Sequence, residues 1–475
     1  MSHVRTIFKN ISWLMISQII ASICGFIWTI IIARYLGVKL NGVLGFAISF
    51  SGIIGITLDL GISSYIVRQV ATNYDSAPKY LGNAIPLKTI FSVGTLLLSL
   101  IILIIMKSNE LTITITLLFV IEGIIKTFIG LLNGFFQAFE EAKYQGIGNT
   151  ISNILLLIFI LLAVFTDLGI YGITFAYILA NLIALIYEYC VLEKYIAKPE
   201  YEFDKALSKK LILLSLPFAA TGILYSIYYS IDVVMLTNLI GDYATGIYNA
   251  TYKLISILTM FNGIYAAVIF PVMSKFFKND KKLLVISYEK SIKYLMLILI
   301  PIAVATMFYS LDIVQLIYGF EYSNASSVLS ILIWTVCLLS ISAAGNTLLN
   351  ASHKEVTVTK IYAIAAVFNI VLNLFMIPYL SYDGAAITTV LSDVLIVAMQ
   401  TYVIYKIGHR PNKKLYYDLT KIILGSVILG IALYFLNLNM WIALPIGIII
   451  YLSTIYLLKV IDNDDKYVIN ELIKR

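Results

Sequence analysis

Apolar stretches of about 20 residues follow one another along nearly the whole chain, each long enough to cross a hydrocarbon core as a helix rising about 1.5 Å per residue. They are read as spanning helices, and the composition agrees. Of the 475 residues 60% are hydrophobic and only 12% charged, where an ordinary globular domain carries roughly a quarter charged residues. The mean hydropathy is +0.94. The fold class expected is an all-α polytopic membrane protein of about fourteen transmembrane helices: 11–33, 42–67, 83–106, 112–138, 144–166, 170–192, 209–237, 243–272, 285–309, 327–351, 357–378, 384–405, 416–436 and 440–459.

An even count puts both termini on one side, and positive residues choose the side, because Lys- and Arg-rich short loops are retained in the cytoplasm. With the N-terminus inside, the cytoplasmic flanks receive Arg5, Lys9, Arg68, Lys79, Lys143, the clusters 194–210, 275–293 and 406–421, and the tail from Lys459. The outer side receives only Arg34, Lys39 and Lys107. The expected location is therefore the plasma membrane, multi-pass, with both termini cytoplasmic. The formal charge of +7 is inner-leaflet positive charge and implies no nucleic-acid partner. Cys24, Cys190 and Cys337 all fall inside spans at spacings unsuited to a metal, and disulfides are not expected. The basic N-terminus precedes an apolar stretch that lacks a small-residue cleavage site, so it is read as a retained first helix.

Loops are short, and no segment is long enough for a soluble domain. The longest breaks, 193–208 and 406–415, divide the chain into an N-lobe (1–200, helices 1–6), a C-lobe (201–410, helices 7–12) and a C-terminal helix pair (411–475). The two lobes resemble each other in sequence. LGVKLNGVLGFA at 36–47 matches IGDYATGIYNAT at 240–251, aligning Gly37 and Gly42 with Gly241 and Gly246. Two six-helix repeats of this kind run parallel about an axis along the membrane normal, with a site expected between them.

Polar residues inside the spans are not scattered. A charge near the bilayer centre costs a few kcal/mol even on the gentler scales, so it faces a partner or a watery cavity. On the fourth span Glu122, Lys126, Asn133 and Gln137 are 4, 7 and 4 residues apart and fall on one helical face. Asp59 shares a face with Gly52, Gly55 and Ser63; Asp232 with Thr221, Tyr225 and Tyr228; Lys253 with Asn249 and Ser256. Gln18 lies on an uncharged stripe of the first helix and Asn346 on one of the tenth, while Asn181, Asn369, Asn373 and Asp393 mark the sixth, eleventh and twelfth. The last two helices have almost no polar side and read as peripheral, touching lipid or forming an outer groove.

For the Ser, Thr, Asn and Gly positions, helix-to-helix packing competes evenly with cavity lining. For Glu122 and Lys126 the rival is a self-neutralised i, i+4 ion pair, whose desolvation would often outweigh its attraction. Lys88 is placed close to its helix end and is expected to snorkel; Arg34 and Arg68, at span ends, snorkel likewise or guard a cavity mouth. Pro217 allows a bend in the seventh helix.

The stretches IIARYLGVKLNGVLGFA (31–47), LDLGISSYIVRQVA (58–71) and LLNGFFQAFEEAKYQGI (131–147) resemble the polysaccharide-transport, or Wzx-type, oligosaccharide flippases of the multidrug/oligosaccharidyl-lipid/polysaccharide exporter superfamily. The likeness runs over nearly the whole chain. It implies two six-helix lobes around a central cavity plus two added helices. It also implies transfer of a polyprenyl-linked oligosaccharide between leaflets by alternating access, with no enzymatic step. Lipid II flippases of the superfamily carry arginines in the first helix where this chain has Gln18 and Trp28, and its multidrug antiporters lack the final helix pair, which disfavours both alternatives.

In such a cavity Lys126, Lys253, Arg34 and Arg68 pair with the phosphate. Gln18, Asn133, Asn249, Asn346, Tyr225 and Tyr228 replace water around the sugar. Asp59, Glu122, Asp232 and Asp393 are available for coupling to H+ or Na+, with no cofactor and no metal. The expected partners are the lipid-linked oligosaccharide, membrane lipid and other polysaccharide-assembly proteins, and the chain is expected to be a monomer. A membrane glycosyltransferase or polymerase fits less well. No acidic first outer loop, no large outer loop and no convincing acid–base set at one surface is found.

Overall fold

The computed structural model describes residues 2–461 except 201–203 and 437, and the side chains of Pro217, Thr221 and Tyr225 lie outside the described residues. The chain is a succession of helices: α1 Ser2–Ile54, α2 Ile56–Asp59, α3 Ile62–Val70, α4 Ala77–Ile105, α5 Glu110–Ala138, α6 Ala142–Phe165, α7 Gly169–Tyr195, α8 Lys205–Leu239, α9 Asp242–Asn279, α10 Lys281–Phe308, α11 Ser310–Tyr318, α12 Ala325–Ala351, α13 Glu355–Lys406, α14 Lys413–Leu436 and α15 Met440–Leu457. No strand occurs among the described residues.

Among the described residues, 11 segments have the length and apolarity of a membrane span. Two of them are double. α1 turns at Gly37 (φ 68, ψ 178) and α13 at Ser381 (φ 52, ψ −132). With α9 this reproduces the fourteen spans expected. Short loops work because capping residues restart the helices at once: Asn109 accepts from Thr112 N at 2.8 Å, Asp204 from Ala206 N and Leu207 N at 2.9 and 3.0 Å, and Asp280 from Lys282 N at 2.8 Å. Each such cap satisfies backbone donors that the first helical turn leaves open. Large apolar side chains point outward, as for Phe165 at 83% exposure, the arrangement a lipid solvent favours.

The second span departs from a single helix over 42–67. Leu60 (φ 45, ψ 29) and Gly61 (φ 77, ψ 7) are both left-handed, so the helix breaks between α2 and α3. Glycine takes that conformation without steric cost, and Leu60 is carried there with it.

Two compact units divide at Asn249, inside α9: Met1–Asn249 and Ala250–Arg475. In the first, one apolar core gathers Ile62, Ile66, Leu81, Leu131 and Phe135 and another Val43, Ile115, Phe119, Ile160 and Ile173. The two glycine turns noted in the sequence meet within this unit. A Cβ on Gly42 would lie 1.8 Å from the Asp242 carbonyl oxygen, and one on Gly246 would lie 1.9 Å from that of Val38. Each glycine presses on the backbone four residues before the other, the exchange a two-fold relation produces.

In the second unit α14 and α15 dock on α10. Ile422, Leu429, Leu433, Ala443 and Tyr451 form the core. Tyr451 Oη donates to the Leu297 carbonyl at 2.8 Å, and Lys293 pairs with Asp418 at 2.9 Å with both side chains buried. An apolar groove of about 450 Å³ lies between Pro301 and Ile302 of α10 and Leu444, Ile448 and Leu452 of α15.

Candidate functional site

The centre of α5 holds the densest ionic chemistry of the first unit. The helix has 29 residues, about 43 Å of length, and Glu122 and Lys126 sit at its middle. Its small residues let neighbours approach. A Cβ on Gly123 would lie 2.9 Å from Ser51 Oγ, and one on Gly134 would lie 3.0 Å from Val67 Cγ2. Ser51 Oγ donates to the Phe119 carbonyl at 2.8 Å, so the broken second span lies close along α5.

Lys126 Nζ reaches Glu122 Oε1 at 2.7 Å, the pair left open by the sequence. It is markedly asymmetric. The Glu122 side chain is 6% exposed and that of Lys126 57%. Asn181 Nδ2 donates to the same carboxylate at 2.8 Å, and Ser152 Oγ donates to Asn181 Oδ1 at 2.9 Å. The interior carboxylate thus has two donors, from α5 and α7, and α6 is tied in through Ser152. Desolvation falls on the acid, where charge-assisted hydrogen bonds offset it.

One residue farther along α5 a second pair closes. Lys88, expected to snorkel, is instead fully buried. Its ammonium is bonded to the Asp59 carboxylate and donates to Ser63 Oγ at 3.0 Å and to the Thr127 carbonyl at 3.0 Å. All three donors of a lysine ammonium are used. The correction has a simple cause. α4 begins at Ala77, not near 83, so Lys88 is 11 residues inside its helix, about 16 Å from the end and beyond snorkelling reach. Asp59 also accepts from Ser63 Oγ at 2.6 Å and Ser63 N at 3.3 Å, which fastens the start of α3 just past the break.

The structure therefore brings Asp59, Glu122 and Lys126 onto neighbouring turns, together with Lys88. Asn133 is half-buried on α5, and its buried side-chain oxygen accepts no hydrogen bond from the described residues. Gln18 on α1, Arg34 on α1 and Arg68 on α3 are exposed. Asp232 is buried and accepts from Tyr248 Oη at 2.8 Å. The Asn249 amide lies where a Gly45 Cβ would be, at 2.6 Å. Tyr228 is buried and edge-on to Tyr229, with centroids 5.3 Å apart; the Tyr225 side chain lies outside the described residues.

In the second unit Lys253 is half-buried on α9 and Asp393 buried on α13. Asn346 joins a polar knot: its Nδ2 donates to Tyr362 Oη at 2.9 Å, and Gln400 Nε2 donates to Asn346 Oδ1 at 2.8 Å and to Ser342 Oγ at 3.0 Å. Asn373 donates to Asn369 at 3.0 Å.

Sequence reasoning missed Lys88 as a core group, the Lys293–Asp418 pair, Gln400 and Glu188. Gln400 was legible as a continuation of the Asp393 face, seven residues on. Glu188 is 1% exposed in α7, and neither carboxyl oxygen has a hydrogen-bond partner among the described residues. Outside the spans, the Leu207 N–H and then the Lys79 ammonium hold Asp204 below the usual carboxylate range. Burial and then the charge of Lys281 hold His409 below the usual imidazole value.

A family model described as "Polysaccharide biosynthesis protein" matches residues 7–277, more than half of the chain, and one described as MatE matches residues 217–375. The chain is 26% identical over 413 residues to the capsular polysaccharide biosynthesis protein CapF of Staphylococcus aureus, covering 84% of this chain and 99% of that protein. It is 24% identical over 388 residues to the probable low-salt glycan biosynthesis flippase Agl15 of Haloferax volcanii, covering 80% and 79%. Among solved structures, the lipid II flippase MurJ in an inward closed conformation superposes with a TM-score of 0.78 at 18% identity, over 93% of this chain and 97% of that one. That likeness is one of fold, and it is the all-α polytopic fold the sequence led to expect. By its own matched residues, the chain belongs to the polysaccharide biosynthesis protein family, within the multidrug/oligosaccharidyl-lipid/polysaccharide exporter superfamily that its motifs resemble.

Proposed function

We propose that this protein is a flippase carrying a polyprenyl-(di)phosphate-linked oligosaccharide from the cytoplasmic to the outer leaflet by alternating access, without making or breaking a covalent bond. The family, and relatives named for capsule and glycan biosynthesis, support a glycan cargo. The observation that carries the mechanism is Lys126: a cation at the middle of a spanning helix, its ammonium bonded to buried Glu122 and its side chain more than half exposed. A lipid-linked sugar opposes transfer through its anionic phosphate and its hydrated glycan, while its tail remains in lipid. A fixed ammonium halfway across offsets the Coulomb part of that barrier, which amounts to a few kcal/mol for a charge at the bilayer centre. Amides and hydroxyls replace water around the sugar.

In this reading Asp59, Asp232 and Asp393 remain candidates for H+ or Na+ coupling, the termini are cytoplasmic and the membrane is the plasma membrane. Reconstituted vesicles loaded with a polyprenyl-diphosphate oligosaccharide test it. Lys126→Ala slows translocation at least about tenfold, the equivalent of about 1.4 kcal/mol, and Lys126→Arg retains most of it. Translocation unchanged in Lys126→Ala would end the assignment of that lysine. Export of organic cations by the wild type, with no movement of the lipid-linked sugar, would replace the reading with the antiporter one.

A further inference from the structure

Among the described residues the first unit contains three buried carboxyl groups in spanning helices, and the protein treats Glu188 unlike Glu122 and Asp232, the last of which accepts from Tyr248 Oη. Glu122 is given two donors. Glu188, on α7, is given none among the described residues: it is 1% exposed and both of its oxygens lack a hydrogen-bond partner there. Its carboxyl rests on the backbone of α6 at Gly148, where a Cβ would lie 2.2 Å from Oε1 and 2.8 Å from Cγ. Only glycine leaves that seat open. Glu188 lies seven residues before the end of α7, about 10 Å inside it.

Among the described residues, the charged groups of the helices around it are engaged with other partners. α7 packs against α6, α5 and α1. On α6, Lys143 pairs with Glu141 at 3.0 Å and lies over the Tyr144 ring at 4.4 Å. On α5, Lys126 and Glu122 bond each other. α1 presents the Trp13 backbone beside Gly146, and its N-terminal His3, Arg5 and Lys9 have side chains outside the described residues. On α7 itself Tyr187, Tyr189 and Cys190 are neighbours, Lys194 lies over Tyr195 at 5.1 Å, and Glu193 faces Lys198 at 3.9 Å. A carboxylate that has no donor or counter-charge among the described residues is, in such a place, far costlier than the neutral acid.

We propose that Glu188 is a protonation site of the first unit: it carries its proton while α6 lies against α7 at Gly148, and releases it only when the helices part and water reaches the carboxyl. Release is a simple acid dissociation to entering water. The site thereby links proton occupancy to the separation of two helices that are also joined through Ser152 and Asn181, and it is distinct from the carboxylates considered above for ion coupling. It does not depend on the identity of the cargo.

The test uses the purified full-length protein in lipid nanodiscs, without substrate. Infrared difference spectra between about pH 6 and about pH 9 report the carbonyl band of a protonated carboxylic acid. A band present near neutrality in the wild type, missing from Glu188→Gln and fading as pH rises, is the expected result. Hydrogen exchange over residues 142–165 should accelerate at least about tenfold with that fading, beyond the intrinsic pH effect measured in Glu188→Gln. Gly148→Ala provides an independent variant: its methyl evicts the carboxyl, and the band is lost at neutrality. A wild-type spectrum lacking the band, as for a carboxylate held ionised by ordered water, overturns the proposal. So does a band that persists in Gly148→Ala, or one that titrates with no change in exchange.

Discussion

Replacing Asp59 by Asn tests whether the buried ammonium of Lys88 depends on its carboxylate. Removing one partner of a buried ion pair costs about 3–5 kcal/mol, because the other charge stays buried and unpaired. Two features reduce that figure here. The Asp59 side chain is 27% exposed, so part of the pair is already screened, and Lys88 keeps Ser63 Oγ and the Thr127 carbonyl, each at 3.0 Å. A loss of about 2–3 kcal/mol is expected for Asp59→Asn. Lys88→Met leaves a partly solvated carboxylate that still accepts from Ser63, for a loss of about 1–2 kcal/mol. The double variant removes both charges, so the losses fall short of additive by about 1–2 kcal/mol. Unfolding of the full-length protein by a denaturing detergent in mixed micelles gives all four free energies. Singles within about 0.5 kcal/mol of wild type, with additive effects, would refute the reasoning and return Lys88 to the role of a snorkelling residue.

Other consequences follow from the same geometry. Gly42→Ala and Gly246→Ala drive a methyl to within 1.8 and 1.9 Å of backbone oxygens, where no side-chain rotation relieves the clash; each should lower the thermal midpoint measured by intrinsic fluorescence by several degrees, while Gly130→Ala, which meets nothing within 4 Å, should not lower it. Asp418→Ala removes the carboxylate that pairs with the buried Lys293 ammonium between α10 and α14 and should cost about 2–3 kcal/mol, whereas Lys293→Met with Asp418→Leu should recover most of it; mixed-micelle unfolding reads both. His409, neutral against the Phe277 ring at 6.2 Å, has a folded pKa below its unfolded one, so the unfolded chain binds more protons and stability falls with pH below about 6.5. His409→Gln should flatten that acid limb in a pH series of melting midpoints.

The spans were legible because a long apolar run has one solution in lipid, and the Gly37/Gly42 and Gly241/Gly246 correspondence marked turns that the structure places against one another. Helix ends were less legible, and one error propagated into chemistry. Starting the third span at 83 put Lys88 near the interface, whereas the start of α4 at Ala77 buries it. The break at Leu60 and Gly61 was masked by an uninterrupted hydropathic pattern. Pairing across helices was mostly invisible. Periodicity placed Glu122 and Asn133 on one face, but only the packing of α7 on α5 supplies Asn181 to Glu122, and nothing in the local pattern of Glu188 separates a partnered carboxyl from an orphan.

The two lysines on adjoining turns of the α5 environment have the same chemistry and opposite accessibility, and the difference lies in how many donors the protein uses. Lys88 spends all three on Asp59, Ser63 and the Thr127 carbonyl, with no exposed surface, so an incoming anion would have to compete with a carboxylate already in place. Lys126 spends one on Glu122 Oε1, and that oxygen is shared with Asn181. Its remaining two N–H groups have no protein acceptor among the described residues and lie on a side chain 57% exposed. An ammonium is a rotatable point charge suited to a phosphate whose orientation changes during transit. Glu122 keeps that charge locally balanced when no anion is present, so the empty site need not hold a bare cation at mid-bilayer, and Asn181 keeps Glu122 from following the lysine outward. The polar stripe on α5 is therefore divided by depth: its buried side is consumed in tying three helices together, and its exposed side retains donor capacity for a ligand.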